Sequence, residues 1–163
     1  MKNWTEFTDK EYDQILDRVY SEIEFSPSDS IFPSFKLPSP FITYDISHYF
    51  GESVDLNVYD EVEEKVLLVF KENTMPNEYI MALDWQHECY WVNPHLEFER
   101  NESDEWIIPI IPNGDYYFFI HKDFKWGYLG HPWEKSITIF GRELIESFER
   151  NKPKMFQNVL RQG

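Results

Sequence analysis

The stretch Asp84-Trp85-Gln86-His87-Glu88-Cys89-Tyr90 places an acid, an imidazole and a thiol within a few residues of one another. General acid–base, nucleophilic and metal chemistry all draw on these groups. If the stretch is a hairpin, Asp84 and His87 can hydrogen-bond across its turn, whereas Cys89 needs a base that the fold must bring from elsewhere. Cys89 is the only cysteine, and no pair of histidines has helical ligand spacing, so no metal is expected. The plainer reading is a hairpin with Trp85 and Tyr90 turned inward and Cys89 acting as a small apolar residue. Further along, Pro112-Asn113-Gly114-Asp115 carries the Asn-Gly pair that tolerates positive φ. A turn is expected there, with Asp115 left as a candidate site carboxylate. A phosphate loop is not, because a strand-like run follows where a helix N-terminus would be needed.

A third constellation runs from Trp126 through Gly130, His131 and Pro132 to Trp133 and Glu134. An aromatic corner with one imidazole can hold a small ligand or an anchor side chain. Equally, His131 can satisfy backbone groups while Trp126 and Trp133 fill the edge of the core. The alternative pocket read from the sequence therefore gathers Asp84, His87, Asp115, Trp126, His131 and Trp133. The Gly-x-Ser-x-Gly elbow, the Walker lysine loop and the dinucleotide fingerprint do not occur, and no cofactor is expected.

These groups need elements to hold them. The segment 105–143 is the most apolar and the richest in turn signals, and its runs at 106–111, 116–121, 124–129 and 135–140 read as consecutive antiparallel strands. In the run 116–121 both alternating sets are apolar or aromatic, so this strand is expected at the centre, covered on both faces. Upstream, Thr8 and Glu11 form a capping box, and Tyr12, Ile15, Leu16, Val19 and Ile23 recur at helical spacing over residues 9–24. A second helix is expected over 59–73, with Asp60 and Glu63 at its start and Val62, Val66, Val69 and Phe70 inward. Short strands follow from the patterns at 41–46, 79–85 and 89–92, and a last helix begins near Gly141. Prolines at 27, 33, 38 and 40 make residues 25–40 a loop or an edge, with enough apolar side chains to be held across the body. The expectation is an α+β fold: an antiparallel meander of five to seven strands packed against an N-terminal, a middle and a C-terminal helix. All 163 residues fit one domain ending in a basic, partly mobile tail at 150–163.

Charge is the strongest bulk property, with 30 acidic against 15 basic residues and a formal net charge of −15. Such a field repels nucleic acid and anionic membrane and speeds association with a basic partner. Solubility alone is the competing explanation. The acids concentrate at Glu97, Glu99, Glu102, Asp104 and Glu105, where Arg100 is the sole base, and this segment is expected to be an exposed loop. Neither a signal peptide nor a run of 18 apolar residues is found, so a cytoplasmic protein is expected.

Taken together, the order Asp84-Trp85-Gln86-His87 with Tyr90, then Pro112-Asn113-Gly114-Asp115-Tyr116, Gly130-His131-Pro132-Trp133-Glu134 and Phe140-Gly141 resembles the bacterial domain of unknown function numbered 2716. The likeness covers nearly the whole chain and implies no established activity. A small acidic chain whose last helix closes a meander is also reminiscent of immunity proteins encoded beside secreted bacterial toxins. The leading expectation is therefore a non-enzymatic binding protein that occludes a basic toxin domain of the nuclease kind. Its surface would use Glu97, Glu99, Glu102, Asp104 and Glu105, with Glu61 and Glu64 as outer support. The alternative is a small-molecule-binding protein or hydrolase with Asp84, His87, Asp115 and His131 in one pocket.

Overall fold

The structure is a computed structural model that describes residues 3–50 and 55–163. Eight strands form a single sheet: β1 (Trp4–Glu6), β2 (Phe41–Asp45), β3 (Ile80–Asp84), β4 (Tyr90–Val92), β5 (Tyr117–Ile120), β6 (Gly127–His131), β7 (Ser136–Phe140) and β8 (Asn158–Gln162). Their order across the sheet is β1-β4-β3-β5-β6-β7-β2-β8, and every pairing is antiparallel. The helices are α1 (Asp9–Glu22), α2 (Asn57–Glu72) and α3 (Arg142–Arg150). The fold is α+β, as expected, with more strands than the sequence suggests.

Alternation along the central strands divides the core in two. Met81, Leu83, Phe118, Ile120 and Leu129 face α1, whose Ile15, Leu16 and Val19 supply the stripe read from the sequence. Ala82, Phe119, Tyr128, Ile137 and Ile139 face α2 and α3, meeting Val62, Val66, Val69, Phe70, Leu144 and Phe148. Because β5 lies between β3 and β6 with helices over both faces, its alternating sets are both apolar, and Phe118 is only 2% exposed. The α1 capping box forms as read: the Thr8 hydroxyl accepts the Glu11 N–H at 3.2 Å and Glu11 Oε1 accepts the Thr8 N–H at 2.9 Å.

Several expectations need correction. Residues 106–111 are not a strand; Pro109 interrupts the run and Pro112 ends it, and it makes only the isolated Arg100–Trp106 bridge and buries Trp106, Ile108 and Ile110 against the α2 face. The run 124–129 is displaced: Phe124 has φ of +57° in a turn, and pairing begins at Gly127. Neither Asn113 nor Gly114 takes a positive φ, so this connection does not use the Asn-Gly pair as expected. Helix α2 begins at Asn57 without a side-chain cap on its N-cap residue, and Glu63 binds Arg100 instead of closing a capping box. The basic tail is not loose, since β8 pairs with β2 and Arg161 binds Glu134 through two nitrogens at 2.9 and 2.6 Å. Strand β1 was not legible beforehand either; it pairs with β4, three residues to three.

Candidate functional site

Strand β3 ends at Asp84, where the His87 N–H donates to the Asp84 carbonyl at 3.0 Å and Gln86 takes φ of +69°, closing a tight turn. The turn sets the His87 imidazole directly over the Asp84 carboxylate. Asp84 pairs in register with Tyr117 of the neighbouring strand, and Asp115 lies just upstream of that strand. Its Oδ1 accepts the N–H of Tyr116 at 2.8 Å, and its Oδ2 approaches His87. His87 Nδ1 consequently stands 3.1 Å from Asp84 Oδ1 and 3.0 Å from Asp115 Oδ2, with the Trp85 carbonyl oxygen at 3.2 Å. The carboxylate side chains are 20% and 19% exposed, while the imidazole is 60% exposed and forms the lid.

Burial drives the Asp84 carboxyl up to about 7, the adjoining Asp115 pushes the same way, and His87 opposes both. The Asp84 carboxylate, by accepting from the imidazole, in turn raises His87. Next to them, burial pushes the Tyr117 hydroxyl up to about 12, with Asp84, Asp115 and Glu105 adding to the effect. Cys89 stays outside this chemistry: burial pushes its thiol up to about 12, and its Sγ lies near the Asp84 and His87 carbonyls, so it behaves as the small apolar residue expected.

His131 does not join the cluster. It lies one residue beyond the Gly130–Tyr117 pair and so falls on the opposite face, beside Tyr116. Its Nε2 is 2.8 Å from Ser34 Oγ and 3.4 Å from the Tyr116 hydroxyl, and its Nδ1 accepts the Glu134 N–H at 3.2 Å. Acceptance at Nδ1 leaves the proton of the neutral ring on Nε2, which then donates to Ser34. The pair is therefore in the wrong tautomer for Ser34 to be a base-activated nucleophile. Burial lowers the imidazole to about 4, so the ring is neutral. Trp126 is buried on the α2 face, stacked on Phe70, and Trp133 is 49% exposed with its ring edge to Tyr116. Of the six alternative-pocket residues, the structure thus unites three.

The acidic segment is exposed at Glu97, Glu99, Glu102 and Asp104 and half-buried at Glu105. Arg100 ties it to α2 through Glu63 and steadies its own turn by donating to the Asp104 carbonyl at 2.8 Å. A groove of about 360 Å³ runs between the two, lined by Asp60, Glu63, Glu64 and Arg100 together with Leu67, Phe98 and Trp106. Sequence reading missed Asp60 and Glu63 as members of this surface, because contacts distant along the chain, the Arg100–Glu63 pair among them, join α2 to the loop. Glu61 is drawn aside to accept the Lys154 N–H at 3.1 and 3.2 Å. A second, more apolar cleft of about 320 Å³ lies beside it, lined by Tyr59, Glu63, Glu105, Trp106 and Ile110 among others.

An open antiparallel sheet covered on both faces, with an Asp–His–Asp cluster at one end of β3 and a groove along α2, defines an α+β protein. Residues 6–145 match the family described as "Protein of unknown function (DUF2716)", and the chain belongs to that family. It is 38% identical over 165 residues to "Uncharacterized protein YxiI" of Bacillus subtilis (strain 168), the match covering 97% of this chain and 99% of the relative. No solved structure matches the chain. Among the described residues, no helix is long and apolar enough to cross a membrane.

Proposed function

We propose that the protein is a non-enzymatic binding protein whose acidic face, built from α2 and residues 97–105, seats a basic protein partner. The observation that carries this reading is the groove between them, lined by three acids, the Glu63-paired Arg100 and three apolar side chains. Such a groove accommodates both the aliphatic stem of a lysine or arginine and its charged head. Around it the exposed Asp60, Glu64, Glu97, Glu99, Glu102 and Asp104 extend one sign of charge, which steers a positively charged surface toward the groove. A basic bacterial toxin domain of the nuclease kind has the complementary charge, since a site that grips phosphates must itself be positive. Occlusion of that site would make this chain an immunity protein of the cytoplasm. The dispersal of Asp84, His87, Asp115 and His131 over two faces of the sheet weighs against a hydrolase built from all four.

Association with the product of the adjacent gene, expected to be a basic domain, tests the proposal. Replacing Glu99, Glu102 and Asp104 together with Gln, Gln and Asn should slow association at low salt by roughly tenfold or more and flatten its salt dependence. Thermal stability should hardly change, because all three side chains are solvated. Association that is equally fast and equally salt-dependent in the neutralised variant would refute the acidic face as the docking surface.

A further inference from the structure

We propose that Asp84, His87 and Asp115, with the Trp85 carbonyl, form a binding site for one divalent cation of the Zn²⁺ or Mn²⁺ kind. One oxygen or nitrogen from each side chain lies within 4.8 Å of the others, and the separations from His87 Nδ1 are 3.0, 3.1 and 3.2 Å. Donors held about 2.0–2.2 Å from a common ion sit about 2.8–3.6 Å apart when the angle between them lies between octahedral and tetrahedral values. The three separations from Nδ1 fall in that window.

Hydrogen bonding within the cluster does not account for it as well. Nδ1 of an imidazole offers at most one in-plane N–H, yet three oxygens surround it, so at most one can be served with good geometry. An ion at the centre would serve all of them. It would also offset the repulsion that two largely covered carboxyl groups exert on each other when both are ionised. The ligands are already aimed: the Tyr116 N–H occupies Asp115 Oδ1 and leaves Oδ2 for the ion, and the closed turn fixes His87 over Asp84. Two carboxylates, one imidazole and a carbonyl, without a thiolate, suit a borderline ion better than a soft one. The exposed His87 side leaves coordination positions to water.

After dialysis against a chelator, the full chain should be titrated by calorimetry with Zn²⁺ and, separately, Mn²⁺. One ion per chain is expected, and Mn²⁺ should broaden the amide resonances around residues 84–88 and 115–117 selectively. His87→Gln and Asp115→Asn should each weaken binding by about tenfold or more, whereas Asp17→Asn, on the exposed side of α1, should not alter it. His87 is exposed, so H87Q should fold normally, which its circular dichroism checks. The absence of saturable binding for both ions, or equal affinity in H87Q and D115N, would overturn the site.

Discussion

His131 makes a quantitative link between burial and acid sensitivity. Its side chain is fully buried in a neutral form, held at one nitrogen by the Glu134 N–H and at the other by Ser34. Burial is the main reason for its fall from 6.5 to about 4; Arg161 adds to it and Glu134 opposes it. As the pH drops, the unfolded chain therefore takes up this proton before the folded one does. Its contribution to stability is intact above about pH 6.5, declines through the interval down to about pH 4, and then levels off. At about 1.4 kcal/mol per unit of difference, the loss across that interval is about 3 kcal/mol, a large share of the 5–15 kcal/mol typical of a domain. Urea unfolding at steps from pH 7.5 to about 4.5 measures it, with His131→Gln as the comparison. The variant will be less stable at neutral pH, since one amide cannot reproduce both ring contacts, but it lacks the titration. The wild-type stability should fall toward that of the variant as pH drops, whatever the carboxylates common to both contribute. Parallel pH profiles for the two proteins would refute the assignment of a neutral, buried imidazole.

Phe118→Ala should cost about 3–5 kcal/mol in denaturant unfolding, because the ring is buried at the centre of the sheet and edge-on to Phe25 and Phe35. The two loop glycines should respond oppositely. Gly114 has nothing within 4 Å of an added Cβ and no positive φ, so Gly114→Ala should leave melting unchanged or raise stability by up to about 1 kcal/mol. Gly141 has φ of +96°, and an added Cβ would stand 2.5 Å from the Lys125 carbonyl oxygen, so Gly141→Ala should cost more than about 1 kcal/mol. Arg161→Ala strips the partner from Glu134, whose side chain is 8% exposed, and should destabilise by about 2–3 kcal/mol while speeding amide exchange in β8 first.

The parts of this protein written in local pattern were legible without a structure. The α1 cap needs only Thr8 and Glu11 three residues apart, and the apolar stripes of the helices need only their own period. The central place of β5 follows from apolar residues in both alternating sets, since such a run is soluble only when covered twice. Asp84 and His87 were within reach for the same reason, being neighbours across one turn. What lay beyond the sequence depended on partners distant along the chain. Strands β1 and β8 are largely exposed, and become strands because β4 and β2 offer them free edges. Residues 106–111 look like a strand, yet two prolines remove donors that pairing requires, and the core beside α2 takes their side chains instead. The register of β3 against β5 brings Asp115 to Asp84 and His87, while the alternation of β6 turns His131 to the other face. A sequence period tells a side chain which way to face relative to its neighbours; only the pairing of strands far apart in the chain decides which of those faces meet.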